Sequence, residues 1–314
     1  VHVLSVSSLK GGVGKTTVAL GLASAAFSQG LRTLVVDLDP QCDATTGLGA
    51  IGEFAETVAD VIQNPRHSIV HRAIVSSTWN KLHSGTIDVM VGSPKTQTLD
   101  TPSPTINEIW RLEVALAKLE SSYDLVIIDT PPSVNGLTRT AWVASDRVII
   151  VSEPSLFSVV AADRTMHALA ELRRGLTSRL ETLGILINRF RPQSTEGDFR
   201  VGELREKYGN RILPDVIEER TVLQQAQGAG RPIHGWPGQS AIEIAGVFDR
   251  VLEYVQNSFG QQTTFRPNRA SRKVLRLNRV MRGQTIDEVL ALEDSESSDE
   301  LTEILGISEE TKKD

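Results

Sequence analysis

The chain has 314 residues, 40% hydrophobic and 23% charged, a composition that supports a sizeable globular core and, with no apolar run near ~18–20 residues, predicts no membrane-spanning helix. Its formal net charge of −6 provides no overall attraction for nucleic acid, so any such binding has to come from a local patch or from assembly. The single cysteine, Cys42, excludes an intrachain disulfide and a metal or iron–sulfur ligand set within one chain, and it fits a reducing, cytoplasmic setting.

Strand-like and helix-like runs alternate from residue 1 to about 257. VHVLSVS reads as a buried strand without the charged flank of a signal peptide, and KTTVALGLASAAFSQG as a helix closed by Gly30. LRTLVVDLD is a second strand ending in two carboxylates. Further strands are TIDVMVG, YDLVIIDT, DRVIIVSEP and LGILINRF, separated by helical stretches such as INEIWRLEVALAKLESS and AADRTMHALAELRRGL. This alternation predicts an α/β fold, a doubly wound, mostly parallel sheet flanked by helices, with ligands at the carboxyl ends of the strands.

The character changes near residue 260. Residues 266–282 hold seven Lys or Arg and no acid, and residues 283–310 hold ten Asp or Glu and no Lys or Arg. We therefore expect a domain over 1–259 and a charged, flexible tail over 260–314. Within the tail, VLRLNRVM could form a basic amphipathic helix for a membrane, and TIDEVLALEDSESSDELTEILGI could dock a partner.

The chemistry concentrates in SLKGGVGKTT. An ordinary phosphate-binding loop, G-x-x-x-x-G-K-[ST], that ended in Gly14-Lys15-Thr16 would have glycine at position 9; this chain has Leu9, and a second lysine, Lys10, five residues before Lys15. Gly11, Gly12 and Gly14 let the backbone amides around Val13 turn inward, and the helix start adds its positive end. Lys15 is placed to neutralise phosphate oxygens, Thr16 to ligate Mg²⁺, and Thr17 to donate to a phosphate. LVIIDTPPS sets Asp129 at a strand end, where a carboxylate can hold Mg²⁺ opposite Thr16. In VVDLDPQ, Asp37 and Asp39 alternate on a strand and point the same way, toward the phosphates if that strand neighbours the first. Asp37 is the expected helper at the metal and Asp39 the orienter of the attacking water.

Taken together, KGGVGKTT, VVDLDPQ and LVIIDTPPS resemble the deviant Walker A ATPases of the ParA/MinD family. The similarity continues through DRVIIVSEP, LGILINRF and RILPDVIEERTVLQQAQGAGRPI, and it covers about residues 1–257. The resemblance implies a slow Mg²⁺-dependent ATPase with ATP or ADP bound, and a homodimer formed on ATP. In it Lys10 reaches the phosphates of the partner's nucleotide while Lys15 serves its own. Asn188 and backbone near Pro214 would recognise adenine.

The output differs within the family. ParA proteins bind nonspecific DNA, segregate chromosomes or position cargo, and are stimulated by a ParB partner. MinD-like members regulate the division site at the membrane. A third reading is an ATP-dependent assembly module whose dimerisation, not turnover, is the function. Iron-protein members are excluded by the cysteine count. The ParA branch makes Arg189, Lys207 and Arg220 the DNA-binding candidates and the nucleoid the expected location, although Val222 stands where the ParA pattern has an arginine.

Overall fold

The computed structural model describes residues 1–82 and 85–260, with residues 284, 285, 287 and 288 of the tail. In chain order the elements are β1 (His2–Ser7), α1 (Lys15–Ser28), β2 (Arg32–Asp37), α2 (Asp43–Gly47), α3 (Val58–Gln63), α4 (His67–Arg72), β3 (Ile74–Ser76) and β4 (Thr86–Met90). Then follow α5 (Ile106–Ile109), α6 (Arg111–Leu116), β5 (Leu125–Asp129), α7 (Gly136–Val143), β6 (Arg147–Ser152), α8 (Leu156–Gly175), β7 (Glu181–Phe190) and α9 (Thr195–Tyr208). The described body closes with β8 (Ile212–Glu218), α10 (Thr221–Gly228) and α11 (Gln239–Gly260).

The eight strands form one sheet in the order β3-β4-β2-β5-β1-β6-β7-β8, parallel except for the antiparallel β3–β4 pair. The doubly wound α/β architecture is thus as expected. The central strands β1, β5 and β6 are buried almost throughout; β5 and β6 carry continuous Val/Ile/Leu runs, as burial under helices on both faces requires, whereas β1 buries Ser5 and Ser7 by hydrogen-bonding them to Ser145 and Thr130. One core joins α1 and α11 to the sheet; two others lie under α3, α6 and α7 and under α8 and α9. Helices α1 and α11 approach so closely that a Cβ on Gly21 would stand 2.2 Å from the Phe248 ring. Ser24, His234 and Asp249 tie the same pair together, with Ser24 Oγ 2.7 Å from His234 Nδ1 and His234 Nε2 3.1 Å from Asp249. Ser24 is fully buried and its oxygen also accepts the His234 amide, so this trio is a structural clamp.

Two sequence readings change. β2 is not adjacent to β1: β5 lies between them. The helical stretch after Thr105 is broken into α5, α6 and a short 3₁₀ turn, with Trp110 serving as the end of one helix and the start of the next. Two strands lacked a clear signal. β3 has only three residues, and β8 contains Pro214, which is tolerated because β8 is an edge strand. The basic segment 266–282 and the partner-docking helix expected after residue 284 lie outside the described residues, apart from the four tail residues. Among the described residues no helix is long and apolar enough to cross a membrane.

Candidate nucleotide site

β1 ends at Ser7 and α1 begins at Lys15, so residues 8–14 form the loop at the carboxyl edge of the sheet. Gly12 (φ 78°) and Gly14 (φ 87°) occupy the left-handed region, whereas Gly11 does not, which narrows the glycine requirement to two positions. At Gly14 the need is double, because a Cβ would meet Asn188 Nδ2 at 2.3 Å. Val13 is buried, and its carbonyl accepts a 2.7 Å hydrogen bond from Asn188 Nδ2. Asn188, expected at the adenine, is itself 2% exposed and braces the loop from behind. Pro214 lies exposed on β8.

Lys15 is 6% exposed at the first turn of α1. Burial pulls its ammonium pKa down, while the Asp129 and Asp39 charges push it back up. Thr16 Oγ1 donates to Asp129 Oδ2 at 2.7 Å. Thr17, expected to donate to a phosphate, has its hydroxyl 3.4 Å from Gln227 Oε1.

The carboxylates arrive by strand register. Asp37 on β2 pairs with Asp129 on β5, and both are fully buried. Asp37 Oδ2 accepts from Thr45 N (2.8 Å) and Thr45 Oγ1 (2.7 Å), and a Cβ on Gly92 would press on it at 2.8 Å. Among the described residues, Asp37 Oδ1 and Asp129 Oδ1 have no hydrogen-bond partner. Burial pushes the Asp37 carboxyl up to about 6 against the Thr45 hydrogen bonds, and burial with the Asp37 charge pushes Asp129 up to about 8. Two buried carboxylate oxygens without donors, beside a threonine hydroxyl, fit a hard divalent cation such as Mg²⁺. Asp39 lies beyond the end of β2, in the turn, where Oδ1 accepts from Gln41 N at 3.0 Å; Asp37 and Asp39 therefore do not share a strand face. Cys42 follows with φ 57°, and burial, then the neighbouring Asp37, Asp39 and Asp43 charges, push its thiol up to about 11, an unreactive setting.

Lys10 forms an ion pair with Glu153 of the same chain, and its ammonium also donates to Ser155 Oγ at 3.0 Å. A 510 Å³ open cavity beside it is lined by Leu9, Lys10, the 132–135 loop and the outer face of α8, where Phe157 is 74% exposed. Sequence reading missed Glu153 and Ser155, as well as Thr45 and Gly92 behind Asp37. Glu153 and Ser155 do stand in the SEPS that ends β6, so their place at a strand end was a usable signal.

The DNA candidates do not form one free patch. Arg189 is exposed with φ 55° at the end of β7. Lys207 pairs with Asp163 of α8 at 2.8 Å, and Arg220 pairs with Glu218 at 2.6 Å and Glu243 at 3.7 Å. Arg191 and Arg200 are likewise paired with nearby glutamates.

A buried lysine and a threonine opening a helix, backed by strand-end aspartates, make this a nucleotide-binding protein of the P-loop class. A family model described as an AAA domain matches residues 1–182. The chain is 32% identical over 238 residues to the chromosome-partitioning ATPase Soj of Thermus thermophilus, covering 74% of this chain and 87% of Soj. Its fold is similar to that of apo McdA from Cyanothece (TM-score 0.69, 24% identity, 81% of this chain and 99% of that one). It is also similar to cobyrinic acid a,c-diamide synthase of Mycobacterium smegmatis with bound ADP and magnesium (TM-score 0.67, 21% identity, 85% and 99%). The chain belongs to the ParA/MinD family of P-loop ATPases.

Proposed function

We propose that this protein is an ATP-driven switch of the ParA type, which binds ATP with Mg²⁺, dimerises on it, and hydrolyses it slowly until a partner intervenes. The observation that carries this reading is the pair of donorless carboxylate oxygens, on Asp37 and Asp129, gathered beside Lys15 and Thr16. The solved relative that holds ADP with magnesium and the similarity to a chromosome-partitioning ATPase support it.

Each residue has a task set by its chemistry. The loop amides and the start of α1 receive the phosphates, and Lys15, desolvated and preorganised, neutralises their charge. Mg²⁺, held by Thr16 with Asp129 and Asp37, would supply further neutralisation of phosphoryl oxygens. Asp39, half-buried in the turn after β2, orients the attacking water. Asn188 keeps Val13 and Gly14 in the loop conformation, and with Pro214 nearby in the sheet it serves the base end of the site. Lys10 acts on a second copy's nucleotide after leaving Glu153. The output is positioning of DNA or another cargo, with a ParB-like stimulating protein and with Arg189 as the first cation to meet nonspecific DNA; Lys207 and Arg220 would have to exchange their acidic partners for phosphates. The unit carrying this chemistry is residues 1–259, with the segment from 260 as an appended tail.

Turnover and mass test this directly. With ATP and Mg²⁺ the protein should double its mass in sedimentation and bind DNA with an affinity that falls steeply with salt; with ADP it should be a monomer that releases DNA. A chain that stays monomeric with ATP bound would overturn the switch, and ATP-dependent dimers without DNA affinity would confine the output to protein cargo.

A further inference from the structure

We propose that the tail residues Gln284, Thr285, Asp287 and Glu288 are a tethered ligand of the rim formed by residues 103–106 and Arg139. Docked there by the same chain, they brace the loop that follows Asp129. Three contacts make the docking. Thr105 pairs with Thr285 as an antiparallel bridge, in which Ile106 N donates to the Gln284 carbonyl at 3.0 Å. Asp287 accepts from Ser103 Oγ at 2.6 Å and from Arg139 Nη1 at 2.9 Å. The Arg139 side chain is only 20% exposed, and Asp287 is its ion partner among the described residues. Removing that partner would leave a largely desolvated cation uncompensated.

The two surfaces are matched in sequence. Residues 105–108 read Thr-Ile-Asn-Glu and residues 285–288 read Thr-Ile-Asp-Glu. Each closes the same reciprocal box. Thr105 N donates to Glu108 at 2.8 Å and Glu108 N to Thr105 Oγ1 at 3.4 Å; Thr285 N donates to Glu288 at 2.7 Å and Glu288 N to Thr285 Oγ1 at 3.3 Å. The box holds its threonine extended ahead of a helical turn, so two such threonines meet as a one-residue ladder. Local sequence thus prepares the tail for the rim and lowers the ordering cost of docking.

The rim also holds the loop. Asp100 accepts from Ser133 Oγ (3.1 Å), Asn135 Nδ2 (3.3 Å) and Leu137 N (3.0 Å), and Gly136 N donates to the Thr101 carbonyl at 2.8 Å. Residues 100–101 therefore grip the loop while residues 103–106 are gripped by the tail. Docking within one chain is within reach: the 23 residues 261–283 can span up to about 80 Å, against a radius of gyration of roughly 18 Å for a domain of this size. Any effect on turnover rests on the ATPase reading above, but the docking does not.

The test needs no nucleotide, so it fails separately from that reading. In the full chain with Cys42→Ser, the pair Thr105→Cys and Thr285→Cys should oxidise to an intramolecular disulfide, because antiparallel partners lie about 4.5–5.5 Å apart at Cα. On a non-reducing gel the product runs as a compact monomer, and adding Asp287→Ala should cut its yield severalfold. A covalent dimer would overturn docking within one chain, and absence of any disulfide would overturn the docking itself. By hydrogen exchange, Asp287→Ala should speed the Gly136 and Leu137 amides about threefold to tenfold. Unchanged exchange would overturn the brace.

Discussion

Asp37 and Asp129 face each other in register on neighbouring parallel strands, each fully buried and each with one carboxylate oxygen that no described donor reaches. Without a cation this is an unfavourable pair, and burial with the Asp37 charge lifts Asp129 to about 8. A folded-state pKa above the unfolded value means stability is full below about pH 4 and is lost as pH rises toward 8. Asp129→Asn should therefore raise the melting midpoint of the nucleotide-free protein at pH 8, and flatten its decline between pH 4 and 8. The same variant should lose the Mg²⁺ dependence of nucleotide binding. A lower midpoint at pH 8 would show that the carboxylate is stabilising as it stands.

Lys15→Ala removes the buried cation at the start of α1. A charge-assisted hydrogen bond is worth about 1.5–3 kcal/mol, so ATP affinity should fall by roughly 10–150-fold. Titration with a fluorescent ATP analogue reads this, and unaltered affinity would remove Lys15 from the site. Asp39→Ala, by contrast, should keep binding and lose turnover, leaving ATP-bound dimers that persist.

Gly14→Ala forces a side chain into a φ of 87° and into Asn188. The left-handed conformation costs about 1–2 kcal/mol, and displacing Asn188 from Val13 about 1 more. At roughly 2–4 °C per kcal/mol, the melting midpoint should drop by about 4–12 °C. Gly11→Ala, at ordinary φ and with its nearest neighbour 4.0 Å away, should change little. Equal losses in the two variants would contradict this account of the loop.

Lys10→Ala and Glu153→Gln should act in opposite directions on assembly. Lys10 is held by Glu153 and Ser155 of its own chain, so it must leave them to serve a second copy. Lys10→Ala should bind ATP normally and fail to dimerise or turn over. Glu153→Gln weakens the restraint, and the pair is only partly exposed, so the concentration at which ATP dimers form should fall severalfold. Sedimentation at graded protein concentration measures both; parallel losses would mean that Glu153 supports the dimer.

The sequence by itself determined whatever is local. Continuous Val/Ile/Leu runs specified β5 and β6, and Gly14-Lys15-Thr16 between strand and helix specified the phosphate loop, because both depend on neighbours in the chain. Tertiary structure decided what depends on distant partners. Register on β5 brought Asp129 opposite Asp37 and put β5 between β1 and β2, which no spacing within either strand encodes. Asn188 became a brace for Val13, 175 residues away, and Glu153 a restraint on Lys10. Of the DNA candidates, Lys207 and Arg220 became ion-paired once α8, β8 and α11 supplied Asp163, Glu218 and Glu243, while Arg189 stayed exposed. The Thr-Ile-Asp-Glu of the tail was visible as a string, but only the fold set it against its near-copy at Thr105, since chain distance says nothing about which surfaces meet.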